Sequence, residues 1–289
     1  MTSEELLQKI KKIEIKAKGL NNQLFQGSYK SAFKGSGMTF AEVREYNLGD
    51  ETRTIDWNVT ARFNEPFVKT FEEERELTVM LLVDVSASGL IATQHSSKQD
   101  YIAEIAAVLA FSAIGQNDKV GVLFFSDTIE KYIPPKKGKS HVLRIIKDLV
   151  SHQSVSKGTN IANALKYFNS AQSKKCTVFL LSDFLDDKNF KKELQITALK
   201  HDFVALNIVA KNEGLLPDVG WTYLQDAESG ELVLVNTSKE EVRLRYQKYF
   251  WDFYQKLSVE TKKLGVDVLN LEVGEAYYTK LLTLFANRR

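Results

Sequence analysis

Apolar residues recur along this chain at two spacings: every three to four positions in some stretches, and in short unbroken runs in others. Their alternation predicts an α/β protein. The first segment is helical in period, with Leu6, Ile10, Ile13 and Ala17 on one face. Thr2 and Glu5 fit a capping box at its start and Gly19 stops it. From about residue 20 to 76 the periodicity is lost, and Gly and Asn mix with short apolar groups, which predicts hairpins and loops. Regular alternation then begins. The run Leu77 to Val83 is followed by helical spacing at Ile102, Ile105, Leu109 and Ala113, and then by the run Val120 to Phe125. A helix near 160–171, the run Thr177 to Leu181, a helix near 189–200 and the run Phe203 to Val209 repeat the theme. This implies a mainly parallel sheet covered on both faces.

The last third continues with a short hairpin over 220–235, turning at Gly230. A long helix over about 239–263 follows, in which Tyr246, Phe250, Phe253, Tyr254 and Leu257 form a packing face. A strand from Val266 to Leu271 and an amphipathic helix over Tyr277, Leu281, Leu284 and Phe285 close the chain. The pattern divides it into residues 1–76, an N-terminal helix with an irregular, partly β module, and residues 77–289, a sheet domain with a helical and strand extension. A length of 289 residues suits one large domain carrying an added module.

Composition narrows the function classes. Hydrophobic content of 44% and charged content of 26% are ordinary for a soluble protein, and no stretch approaches the about 18 consecutive apolar residues of a membrane helix. Met1-Thr2-Ser3-Glu4-Glu5 has neither a basic leader nor an apolar core after it, so a cytoplasmic location is expected. The lone cysteine, Cys176, closes no intramolecular disulfide and reads as a buried strand residue. A formal net charge of +2 gives no electrostatic reason to expect nucleic acid, and Lys136-Lys137-Gly138-Lys139 reads as a solvated loop.

In an open parallel sheet, ligands bind outside the carboxyl ends of the strands. Three such places are polar. Asp84-Val85-Ser86-Ala87-Ser88 ends the first apolar run with a carboxylate and two hydroxyls at alternate positions. Lys157-Gly158-Thr159-Asn160 opens a helix, and Ser182-Asp183 ends another run. Together they supply hard oxygen donors suited to Mg2+, Mn2+ or Ca2+. The set resembles the metal-ion-dependent adhesion site of the von Willebrand factor type A family, a Rossmann-like fold. The resemblance implies that Ser86, Ser88 and Thr159 offer hydroxyl oxygens to the ion, that Asp84 and Asp183 hold it mostly through water, and that one position stays open for a partner's carboxylate. Two carboxylates only just balance a divalent ion, so an incoming acidic group is still attracted. Gly89 departs from the Met that many family members carry there. The bland reading, in which these Ser and Thr residues merely cap turns and helices, explains each residue but not the set.

Upstream, Arg44-Glu45-Tyr46, Gly49-Asp50, Arg53, Ile55-Asp56-Trp57 and Thr60-Ala61-Arg62 closely resemble the hallmark of the bacterial family called domain of unknown function 58. In that family the motif precedes a von Willebrand type A domain, and the combined resemblance spans roughly residues 35–210. It implies a partner rather than a reaction, because such proteins are typically encoded beside MoxR-type AAA+ ATPases and are regarded as their adaptors. Physically, Arg44, Arg53 and Arg62 with Asp50 and Asp56 can form a charge-assisted network around Trp57 as apolar anchor. The alternative is an exposed recognition surface, which Arg and Trp favour. Both readings stay open in the sequence.

Rival functions are weaker. A strand ending in Asp84 is similar to a haloacid dehalogenase-type phosphatase, but Ser86 stands where the general acid belongs, a group contributing about 100- to 10,000-fold in rate. No Gly-x-x-x-x-Gly-Lys-Ser/Thr loop cradles a nucleotide. His95, His141, His152 and His201 lie in separate segments and read as surface residues. No catalytic residue is assigned. The expectation is a non-enzymatic, Mg2+-dependent protein-binding adaptor for a MoxR-type ATPase, with a scaffold carrying a vestigial metal site as the alternative.

Overall fold

A computed structural model describes residues 3–20, 39–72, 76–86, 97–152, 156, 158–186, 188–210, 212–225 and 232–288. They fall into two compact units, one within Phe33–Leu77 and the other formed from Met1–Ala32 and Thr78–Arg289.

The smaller unit pairs β1 (Thr39–Glu45) antiparallel with β2 (Phe67–Glu72). Between them lie a 3-10 turn at Thr52–Thr54 and a short helix, α2 (Trp57–Phe63). Asp56 caps this helix, its carboxylate accepting from the Asn58 and Val59 amides, and Asn64 ends it in the left-handed conformation at φ 57°. The antiparallel pair agrees with the expected hairpins. The helix differs from the expected loop, because local capping supplies the signal that hydrophobic periodicity lacks.

The larger unit begins with α1 (Ser3–Leu20), whose Ile13 and Ala17 are buried. It lies against α3 (Lys98–Gly115) and α4 (Lys139–Ser151), with ion pairs from Lys9 to Asp100 and from Lys16 to Glu104. The sheet has the order β10-β7-β6-β3-β4-β5: β3 (Thr78–Asp84), β4 (Lys119–Phe125), β5 (Ile129–Lys136), β6 (Thr177–Ser182), β7 (Asp202–Val209) and β10 (Asp267–Glu272). All neighbours are parallel except β4 and β5. The apolar runs of β3, β4, β6 and β7 are continuous because both faces of the sheet are covered. α5 (Ile161–Ala171), α6 (Lys191–Lys200) and α7 (Glu240–Lys263) pack on one face, where Phe168, Leu194, Phe250, Tyr254 and Leu257 join the core. A hairpin of β8 (Trp221–Gln225) and β9 (Leu232–Asn236) stands apart from the main sheet, and α8 (Tyr277–Ala286) ends the chain. Among the described residues no helix is long and apolar enough to cross a membrane.

Two further elements, both in the larger unit, lie where the sequence reading assigns none. β5 is a half-buried edge strand ending in Pro134-Pro135-Lys136, and α4 begins at Lys139, so the expected lysine loop shrinks to Lys137 and Gly138. Gly121 of β4 sits where the β4–β5 register shifts. A Cβ there would lie 2.6 Å from Met80 Sδ, 2.9 Å from Pro135 N and 3.0 Å from Ile133 O. Because two of these atoms are backbone, Gly121→Ala is expected to cost about 1–3 kcal/mol by overpacking, seen as a lower denaturant midpoint at unchanged slope. An unchanged midpoint would mean that β5 yields freely.

Cys176 is buried, and its thiol is pushed up to about 12 by burial. His201 corrects the surface reading of the histidines. It is 3% exposed, with Nδ1 3.4 Å from Cys176 Sγ and its ring against Phe168. His141 and His152 are half-buried, and His95 lies outside the described residues.

Candidate metal centre

The chain runs outward from β3 through β4 to β5, then returns to place β6 on the other side of β3. The carboxyl ends of β3 and β6 therefore form the switch point where ligands of such sheets bind. Asp84 is the last residue of β3 and Ser182 the last of β6, with Asp183 next. The Ser182 hydroxyl donates to Asp84 Oδ2 at 2.6 Å, the Ser86 amide donates to Asp84 Oδ1 at 3.0 Å, and the Phe184 amide donates to Ser182 Oγ at 3.0 Å. Phe184, fully buried, takes the left-handed conformation at φ 57°, a strained geometry for a bulky residue that turns the backbone sharply after Asp183.

Asp84, Ser86, Thr159 and Asp183 are all buried. Thr159 reaches this edge because the Asn160 amide donates to the Ser126 carbonyl beyond β4 (2.9 Å) and the Ile161 amide donates to Asp186 beyond β6 (2.8 Å). Ser88, with its neighbour Gly89, lies outside the described residues. The structure thus gathers four of the five expected ligands at the same edge of the sheet.

Two further residues belong to the site. Lys98, at the start of α3 and 1% exposed, donates from Nζ to Asp183 Oδ2 at 2.6 Å and to Glu213 Oε1 at 3.0 Å. Glu213 Oε2 accepts from the Ala210 amide, Asp183 Oδ1 accepts from the Leu185 amide, and the Tyr254 and Tyr246 hydroxyls donate to the Asp183 and Glu213 carbonyls. Burial and the neighbouring Asp183 charge lift the Asp84 carboxyl well above the ordinary carboxylate range, against the bonds from Ser182 and Ser86. Burial also raises Glu213. For Lys98, burial alone would depress the ammonium, but Asp183 and Glu213 carry it above its usual value.

The donor set fits a divalent cation. Asp183 and Glu213 against the Lys98 ammonium leave one negative charge, a cation that displaces the proton favoured at Asp84 brings this to two, and the remaining donors are hydroxyl oxygens, which suit a hard ion. Among the described residues no group of three or more His, Cys, Asp or Glu side chains is arranged to hold a metal, so such a site depends on its hydroxyls. Lys98 and Glu213 leave little trace in the sequence. The only usable signal is that Glu213, like Asp84 and Asp183, follows the end of a parallel strand.

The upstream motif forms a smaller network than expected. Arg44 grips Asp50 through two bonds, Nη1 to Oδ2 at 2.8 Å and Nη2 to Oδ1 at 2.7 Å. Arg44 and the Asn47 amide hold the Asp50 carboxyl down to about 2. Asp56 pairs with Lys69 rather than an arginine. Arg53 and Arg62 are exposed and make no ion pair among the described residues, and Tyr46 is half-buried. Trp57 is 69% exposed, with Leu48 and Phe63 also exposed, which agrees with the exposed-surface alternative rather than with an apolar anchor.

An uncharacterized protein of Mycobacterium tuberculosis is 29% identical over 223 residues, covering 76% of this chain and 70% of its own length. Among solved structures, an aerotolerance-related membrane protein from Bacteroides fragilis is 14% identical, covers 74% of this chain and all of its own, and superposes at a TM-score of 0.49. The SpRpn10 VWA domain is 10% identical over 74% of this chain and 95% of its own, at a TM-score of 0.38. The family model described as protein of unknown function DUF58 matches residues 42–252, from inside β1 to inside α7, and the chain belongs to that family.

Proposed function

We propose that this chain is a non-enzymatic adaptor that grips an acidic side chain of a protein partner through Mg2+, with Mn2+ or Ca2+ as alternatives, at Asp84, Ser86, Ser88, Thr159 and Asp183. The supporting observation is the pair of carboxylates, Asp84 and Asp183, buried at the β3/β6 switch point beside hydroxyl donors, with more acidic groups than the single Lys98 ammonium balances. When bound, the ion supplies an open coordination position for a partner's carboxylate. This chain's own residues fix the site around it: Ser182 orients Asp84, and Lys98 and Leu185 orient Asp183. The family resemblance suggests a MoxR-type AAA+ ATPase as the partner. The exposed Trp57, Arg53 and Arg62 offer a second contact.

The Lys98–Asp183 pair also supports a second reading, a scaffold in which the ammonium has taken over part of the ion's role. Stability and capture separate the two. In the first reading Mg2+ at 100 times its Kd stabilises the wild type by about 2.7 kcal/mol. Asp84→Ala removes that gain while retaining the native circular dichroism spectrum. An AAA+ ATPase should be retained from lysate by wild type in Mg2+ and lost with chelator or in Asp84→Ala. No Mg2+-dependent midpoint shift, with equal capture in every sample, would leave the scaffold reading.

A further inference from the structure

A polar row crosses the otherwise apolar face of the sheet beneath α7. Ser182 is in register with Asn207, and Asn207 with Asn270, one step beyond the pairing of Val83 with Leu181 that brings Asp84 beside Ser182. The Asn207 side-chain nitrogen Nδ2 donates to Asn270 Oδ1 at 2.9 Å. Asn207 is 1% exposed, and its Oδ1 has no hydrogen-bond partner among the described residues. A buried carbonyl oxygen in that position seeks a donor.

Asn207 lines a cleft of about 490 Å3 between α7 and the carboxyl ends of β7 and β10, within the size range of small-ligand sites. Glu272 and Glu275 line it too, as does Lys280, whose Nζ donates to Glu275 Oε1 at 2.7 Å and to the Asn270 carbonyl at 3.0 Å. Two carboxylates against one ammonium leave a single negative charge. Trp251 and Tyr254 add aromatic walls, and ring faces attract cations. An acceptor without a donor, one surplus negative charge and aromatic walls select a monocation bearing N–H groups.

We infer that this cleft binds a short organic primary ammonium, its N–H groups reaching Asn207 Oδ1 and the Glu272 carboxylate. The site is independent of the metal reading, although Tyr254 touches both regions. The test is a saturation-transfer NMR titration of the full chain with butylammonium chloride, using tetramethylammonium and 1-butanol as controls. Butylammonium should bind with a Kd on the order of 1 mM, and each control at least about tenfold more weakly. Asn207→Leu and Glu272→Gln should each weaken butylammonium by about tenfold, and the half-buried Glu272 keeps the test valid should Asn207→Leu fail to fold. Nα-acetyl-lysine methylamide distinguishes the source. Tighter binding than butylammonium assigns the site to a protein's lysine, and weaker binding to a free amine, both within the ammonium assignment. Equal binding of the controls, no binding at all, or an unchanged Kd in Glu272→Gln would overturn it.

Discussion

Lys98→Met is expected to destabilise the sheet unit by about 3–5 kcal/mol, lowering its thermal midpoint by on the order of 10 °C. The ammonium is 1% exposed and bonded to Asp183 and Glu213, so its removal leaves two carboxylates buried without their counter-charge. Methionine fills much of the same volume, which makes lost charge rather than lost packing the cause. Two companion measurements sharpen the result. Adding Glu213→Gln should recover part of the loss by removing one of the stranded charges. Added Mg2+ should raise the midpoint more in Lys98→Met than in wild type, because the ion then meets Asp183 and Glu213 without the ammonium that competes for them. A single variant within about 1 kcal/mol of wild type would show that the pair is solvated.

Acidification should expose a second large effect, at His201. Burial and the neighbouring Lys200 and Lys175 charges depress the imidazole to about 4, below its ordinary value of 6.5. The unfolded chain therefore takes up the proton first. Stability from this group is complete above about pH 6.5, falls as pH drops toward 4, and is lost below that. The gap corresponds to about 3 kcal/mol. Asp84 contributes the opposite slope in the acid range, since its carboxyl is raised in the fold and favours protonation there. The difference between wild type and His201→Gln isolates the histidine. The variant should lose less stability than wild type between pH 6.5 and 4, measured by urea unfolding at each pH. Parallel pH profiles would mean that His201 titrates normally in the folded chain.

What the sequence disclosed follows from how local each signal is. The strands β3, β4, β6 and β7 were legible because burial on both faces writes an unbroken apolar run. The aromatic stripe of α7 was legible because its period matches the helix. β5 was not, since a half-buried edge strand carrying two prolines alternates poorly. α4 was missed despite Val142, Ile145, Ile146 and Leu149 at helical spacing. Asp84, Ser86, Thr159 and Asp183 could be placed at one edge because each follows a strand or opens a helix there. Lys98 could not, because its partners lie 85 and 115 residues away. The sequence leaves Trp57 open between anchor and exposed surface because a tryptophan's size predicts burial only where a core exists to receive it, and the small hairpin unit leaves it in the open.

The pair of prolines closing β5 also bears on how copies of this molecule meet one another. β5 is the last strand on its side of the sheet. Pro134 and Pro135 carry no amide hydrogen, and Lys131 and Lys136 flank them with charge. A foreign strand laid along this border would meet gaps in the donor ladder and the charged side chain of Lys136, features that keep native sheets from fusing edge to edge. Within the six-stranded sheet, strand addition is thereby left to the opposite border, at β10.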